Sequence, residues 1–263
     1  MTLKFLKPLN NSLTLCSLFI LAACGNPTAT KEDSTPKSVA QATPEDTVVV
    51  IDEETYQHIA LASIKDEMWD EYVAAMHNNI ANSRQEPGNI IFTLFQPEDG
   101  THQVAFMERF QNRTAFEEHL TADYLPEAIT QKSLIGEMEI RTLKEVAEVP
   151  AVEPENADEV LTPRNIIVFF DVKPEERKTF VDAIAEVTKH SRAAEGNVRF
   201  NVFQQTDDEN KFVLLESWES IAHHETHLAQ EYSKVFDNAV TGVFVTNPMD
   251  SRLLATDISS IVE

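Results

Sequence analysis

Two carboxylates of this 263-residue chain stand in matching company. Val104, Phe106, Glu108 and Phe110 alternate onto one face of a predicted strand, and so do Phe212, Leu214, Glu216 and Trp218. A carboxylate among apolar neighbours is costly unless it is paired. His119 and His227, each eleven residues downstream on a predicted helix, are the candidate partners. A Glu–His pair in a gap between helix and sheet can act as a general base, an effect typically worth about 10²–10⁴ in rate. The same pair can instead satisfy itself and brace the helix on the sheet. Both readings stay open on the residues alone.

The run His223-His224-Glu225-Thr226-His227 invites a metal. His223 and His227 share a helical face, but a metalloprotease motif needs Glu directly after the first His, and Glu225 is one place late. No metal site is expected. Cys16 and Cys24 are the two cysteines, and both precede the region that folds, so disulfides and thiol catalysis are not expected there.

The elements that position these groups occur twice. "SRQEPGNIIFTLFQ" (83–96) returns as "SRAAEGNVRFNVFQ" (191–204), an offset of 108 that also carries Glu108 onto Glu216, His119 onto His227 and Tyr124 onto Tyr232. One register held over some seventy positions is a domain duplication. In the second copy, Asn165–Val172 reads as a buried strand. Pro174 opens a helix with Phe180, Val181, Ile184 and Val187 on one face. Strands follow at 197–204 and 211–218, then a helix over 220–232, then a last strand over Val240–Thr246. The order is β-α-β-β-α-β, and the first copy repeats it. Gly88 and Gly196 are read as helix terminators that need positive φ. Trp69, Tyr72 and Met76 have core spacing, and Arg84 and Arg192 read as caps of the helix end. A four-stranded sheet with helices on one side leaves its other face bare. Duplication lets the two sheets cover each other, giving an α+β fold of two ferredoxin-like repeats packed sheet to sheet.

The expected organisation is a leader over 1–23, a tether over 24–55, domains over 56–145 and 164–250, an acidic proline-bearing linker over 146–163 and a tail over 251–263. Lys4 and Lys7 precede a short apolar run that ends in Leu21-Ala22-Ala23-Cys24. This resembles the lipobox of bacterial lipoproteins, which implies lipidation of Cys24 and a place on the extracytoplasmic face of the cell envelope, anchored to a membrane. Net charge is −23, and −25 without a leader that carries two lysines and no acid, so nucleic acid is not an expected partner.

The motifs together resemble the antibiotic biosynthesis monooxygenase family of dimeric α/β barrels. Its pattern is Ser-Arg-x-Glu-Pro-Gly closing a helix, a strand ending Glu-x-Trp, and Ala-x-x-x-His on the next helix. The first copy shows Ser83, Arg84, Glu86, Pro87, Gly88, Glu108, Ala115 and His119, with Phe110 in the Trp place. The second shows Ser191, Arg192, Gly196, Glu216, Trp218 and His227, with Ala194-Glu195 in place of Glu-Pro. The resemblance implies an intramolecular dimeric barrel in a monomeric chain, and cofactor-independent oxygenation of a small aromatic or quinol by O₂. Glu108, His119, Glu216 and His227 would be catalytic, with Phe92, Phe110, Phe200 and Trp218 on the substrate. Haem-degrading relatives need a ligand near the end of the second helix, where Tyr124 and Tyr232 stand without a histidine. The different-class alternatives are a non-catalytic small-ligand-binding protein and a structural envelope lipoprotein that keeps the barrel.

Overall fold

The computed structural model describes residues 54–150 and 164–260, all within one unit, Asp52–Glu263. The leader, Cys24, most of the tether and linker residues 151–163 lie outside the described residues.

The first repeat runs β1 (Tyr56–Ser63), α1 (Trp69–Ser83), β2 (Asn89–Pro97), β3 (Gln103–Phe110), α2 (Arg113–His119), α3 (Glu127–Ser133) and β4 (Glu139–Glu145). The second runs β5 (Arg164–Asp171), α4 (Arg177–Arg192), β6 (Asn197–Gln205), β7 (Lys211–Trp218), α5 (Ile221–Leu228), α6 (Glu231–Ala239) and β8 (Leu253–Asp257). The second helix expected in each repeat is therefore two short ones.

The eight strands close an antiparallel barrel in the order β1-β3-β2-β8-β5-β7-β6-β4. Each repeat contributes four adjacent strands, and closure is made by two short seams. β8 pairs β2 from Phe95↔Asp257 to Pro97↔Ala255, and β4 pairs β6 from Leu143↔Gln205 to Glu145↔Phe203. Alternation along the strands sends one set of side chains inward. Ile59, Phe95, Met107 and Leu143 meet Ile167, Phe203, Leu215 and Leu253 in one shared apolar interior. The other set faces the helices in two separate clusters. One lies under α1 around Tyr72, Ile80, Phe92 and Phe106, the other under α4 around Phe180, Ile184, Phe200 and Trp218. The helical spacing of Phe180, Val181, Ile184 and Val187 does bury those residues.

The last strand departs from expectation. Val240–Thr246 is not a strand. Val240 and Val243 are buried against the second cluster, and Phe244 makes only an isolated bridge to Val172. Alternating apolar residues read as a strand, but here they line a loop folded over the sheet. The closing strand is β8, within the segment read as a tail. Beyond it, Ile258 N–H donates to the Leu94 carbonyl and Ser259 Oγ accepts from Leu94 N–H, which ties the segment to the first repeat. At the other junction, Val146 and Val149 of the expected linker are buried in the second repeat's cluster.

The two glycines of the repeated motif also differ from the reading as helix terminators. The helices end at Ser83 and Arg192, several residues earlier. Gly196 has φ +74°, whereas Gly88 is not in the left-handed region. Close approach is common to both. A Cβ on Gly88 would come within 2.3 Å of Ala115 Cβ, and one on Gly196 within 2.2 Å of the His223 ring. Each glycine thus lets the following helix sit down on the turn before β2 or β6. Gly196→Ala is expected to lower stability by about 2–4 kcal/mol, combining left-handed strain with the clash. Gly100→Ala, with φ +73° but open space around it, should cost only about 1–2 kcal/mol. Chemical denaturation of the two variants checks the difference.

Candidate functional site

Each Glu sits on the third strand of its repeat, on the helix-facing side, 5% exposed. The helix above it is placed by a cap. Asn112 Oδ1 accepts from Ala115 N–H at 2.8 Å, and Ser220 Oγ accepts from His223 N–H at 3.1 Å. These side chains satisfy free amides at the helix start, which sets the rotation that aims His119 and His227 at the sheet. His119 Nε2 lies 4.0 Å from Glu108, and His227 Nε2 lies 4.0 Å from Glu216. The sequence-predicted pairs are therefore brought together in both repeats. What surrounds them differs.

In the first repeat Glu108 has a nearer partner, His58 on β1, at 3.0 Å. The two residues face each other across the β1–β3 register. His119 Nδ1 reaches Glu86 at 3.1 Å, and Tyr124 donates its hydroxyl to the same carboxylate. Burial and that bond push the Tyr124 phenol up to about 12. The space above Glu108 is filled by rings. Phe116 stacks on Tyr56 at 4.3 Å and lies 5.4 Å from His58 and 5.5 Å from Phe110, while Phe110 lies 5.1 Å from His119. Phe92 is fully buried in the cluster beneath.

The second repeat replaces each plug. At an offset of 108, Tyr56, His58, Phe116 and Glu86 become Arg164, Ile166, His224 and Ala194. A cavity of about 760 Å³ opens between sheet and helices. Its floor is Ile166, Val168, Phe200 and Leu214, with Glu216, His224 and His227 at one side. The outer wall comes from α6 and the loop after it. That loop holds thirteen residues between α6 and β8, against five between α3 and β4. The volume suits a small organic ligand.

Trp218 does not line the cavity. It is fully buried, donates its indole N–H to Glu216 Oε2 at 3.0 Å and stacks on His227 at 4.6 Å. It orients the carboxylate and the imidazole. His227 Nδ1 is 3.0 Å from the Tyr232 hydroxyl. Burial raises the Tyr232 pKa, so this phenol stays a donor. Donation to Nδ1 leaves the ring proton on Nε2, facing Glu216. His224 Nε2 stands 3.9 Å from Glu216 Oε1.

Burial dominates the electrostatics. It raises Glu216 to about 7, offset in part by the Trp218 hydrogen bond and by the charges of Arg252 and Arg164. Burial lowers His224 to about 4, helped by Arg164, His227 and Arg252, and burial alone lowers His227 to about 4. At neutral pH both imidazoles are uncharged and the carboxyl is near its midpoint. A base poised at the working pH is the condition for efficient proton transfer.

His58 and His224 were not singled out in the sequence. His58 could have been found from strand pairing, since the β1–β3 register sets it opposite Glu108. His224 rather than His223 faces the site, and His223 Nδ1 lies 3.7 Å from exposed Glu219. Among the described residues no cluster of three His, Cys, Asp or Glu side chains could hold a metal. Arg84 and Arg192 donate to the carbonyls of Phe92 and Phe200, tying the end of the first helix of each repeat to the next strand.

Residues 55–131 and 163–239 each match the antibiotic biosynthesis monooxygenase family, and the chain belongs to it. Over 62 residues it is 40% identical to a Bacillus subtilis (strain 168) protein named "Putative monooxygenase YcnE", spanning 65% of that protein and 22% of this chain. Two crystal structures share the fold at 16% identity. A "putative monooxygenase" from Fusobacterium nucleatum superposes with TM-score 0.66, covering 78% of this chain and 91% of that one. One from Lactobacillus acidophilus gives 0.64, covering 78% and 93%.

The displaced pKa of Glu216 has a stability consequence. Its folded value lies above the ordinary 4.5, so the fold favours the neutral acid. No penalty exists below pH 4.5. It grows as pH rises through 7 and then levels off, at about 3 kcal/mol. Glu216→Gln cannot ionise and should gain about that much relative to the parent between pH 4.5 and 8, measured by denaturant titration across pH.

Proposed function

We propose that the second repeat is a cofactor-independent monooxygenase site acting on a small phenol, quinol or related aromatic with O₂. The observation that carries this reading is a carboxyl poised near pH 7 beside the apolar floor of a cavity, Ile166, Val168, Phe200 and Leu214. Family membership supports it.

Glu216 is the general base. It takes the proton of a substrate hydroxyl, or of the carbon acid that is its keto form, while the Trp218 indole N–H holds the carboxylate in place and the neutral His227 ring stands beside it. The electron-rich anion passes one electron to O₂, and the two radicals join to form a C–O bond. The hydroperoxide then loses water. A ring CH₂ of the keto form becomes C=O, one oxygen atom enters the product, and the other leaves as water with both hydrogens. The protein supplies a largely apolar floor against which the deprotonated substrate is a strong reductant, and a base matched to the pH.

The first repeat is the scaffold half. Its Glu108 is paired with His58 and covered by Phe116, so a substrate ring has no room beside it. Phe200 lines the working cavity, and its counterpart Phe92 is core. The chain acts as a monomer in which one half closes the barrel for the other.

The chain is further proposed to be held at the cell envelope through lipidated Cys24, on the strength of the apolar run ending Leu21-Ala22-Ala23-Cys24. Fatty-acid labelling in cells should mark the parent and not Cys24→Ser.

Turnover of a quinol panel under O₂ is the direct test, with product oxygen traced by ¹⁸O₂. Glu216→Gln should lower kcat/KM by about 10²–10⁴, while Glu108→Gln should change it less than about threefold. The kcat/KM of the parent should rise with pH through about 7 as Glu216 ionises. Equal losses in the two variants would remove the assignment to the second repeat.

A further inference from the structure

One charged group in the cavity has no role in proton transfer. Arg252 lies just before β8 and lines the cavity, the one lysine or arginine among the described residues to do so. It is half-buried and makes no hydrogen bond or ion pair with any described residue. Arg164, the other cation near Glu216, is already held by Glu98. The lining acids are Glu216 itself and Asp237, which is exposed on α6, and neither lies within ion-pair distance of Arg252.

The register explains where the guanidinium stands. β5 pairs β7 at Ile166↔Glu216 and pairs β8 at Ile166↔Leu254 and Ile167↔Leu253. One step further sets Arg252 beside Val168. Leu253 and Ala255 point into the barrel, so Arg252 and Leu254 point to the helix side. Glu216 and Arg252 thus flank the Ile166–Val168 floor from the two neighbouring strands, with backbones roughly 10–12 Å apart. The corresponding position on β4 is Ile140, which is exposed and carries no charge. The charge therefore belongs to the open repeat alone. At the mouth, Leu228, Val245 and Met249 are 48%, 57% and 55% exposed, so the entrance is apolar.

An unpaired guanidinium at one end of an apolar trough gains most from a ligand anion, because a charge-assisted bond in a low-dielectric site is stronger than one in water. We propose that the cavity of the second repeat takes an aromatic anion, a ring system carrying one carboxylate-like acidic group, with that group on Arg252 and the ring on Ile166 and Val168. This deepens the monooxygenase reading by naming its substrate class, with the reacting end of the ring toward Glu216 and the acidic end away from it. The strongly acidic chain otherwise repels such molecules, so Arg252 sets selectivity against neutral aromatics of equal size.

Binding is tested apart from turnover, with a matched pair of fluorescent probes: anionic 1-anilinonaphthalene-8-sulfonate and neutral N-phenyl-1-naphthylamine. Both are titrated into the folded chain at pH 7. The parent should bind the sulfonate at least tenfold tighter than the neutral probe. Arg252→Gln should weaken the sulfonate tenfold or more and leave the neutral probe within about twofold. Arg252→Lys should restore part of the difference. Filling the floor with Leu214→Trp, or the helix side with Ile184→Phe, should weaken both probes, with folding checked by circular dichroism. The proposal is overturned if Arg252→Gln shifts both probes alike or neither, if the parent shows no preference for the sulfonate, or if both filling variants bind it unchanged. Loss of oxygenation with the probe preference intact would sink the monooxygenase reading and leave this one standing.

Discussion

Closure of the barrel is the constraint on which the rest depends. Each repeat alone would expose an apolar sheet face and two sheet edges. An exposed apolar face seeks cover, and an open edge invites pairing with another chain. Both problems are solved by the same two seams, β2 with β8 and β4 with β6. The seams are short, three residue pairs each, but they join sheets whose inner faces share one apolar cluster. The hydrophobic term acts on the whole interior while the hydrogen bonds fix its register.

With the inner face committed to packing, chemistry is confined to the outer face, between sheet and helices. Two such gaps exist, and joining the repeats in one chain frees them to differ. A symmetric dimer of identical chains would have to carry any cost of an open, charged cavity twice. Here the first gap is packed with Tyr56, Phe110 and Phe116 and its carboxylate is paired with His58. It behaves as core. The second keeps the Glu–His geometry and gives up the plugs, and its eight additional loop residues after α6 form an outer wall instead of a lid of rings.

The repeat, the first β-α-β-β elements of each copy and the Glu–His pairs were legible because they rest on local periodicity and on self-similarity at one offset. Three features were not. The run from Val240 to Thr246 alternates like a strand but is a loop, because Val240 and Val243 are buried by the second cluster and not by a ladder. The strand that closes the barrel, Leu253–Asp257, is five residues long and too weak a pattern to stand out. The difference between the two gaps depends on contacts across strands and helices. Exchanging His58 for Ile166, or Phe116 for His224, looks unremarkable along the chain and decides in space whether a cavity exists. Gly88 and Gly196 show the same limit. Their shared identity was visible, but the reason for it, the approach of the next helix, belongs to the tertiary structure.

The electrostatics of the open gap follow from that asymmetry. In the first repeat His58 stands 3.0 Å from Glu108, so a proton acceptor there already has a partner. In the second, Ile166 occupies that place and offers nothing. The carboxyl is left with one indole N–H, two imidazoles that burial keeps neutral, and the more distant charge of two arginines. Burial without a close cation is what lifts Glu216 to about 7. A nearer arginine would return the group to an ordinary carboxylate, stable and ionised but too weak a base for a phenol. Full removal of the arginines would raise the acid further and leave it protonated at neutral pH. The placement of Arg252 across the floor, close enough to be felt and too far to pair, satisfies both limits and leaves its guanidinium available to something that enters from outside.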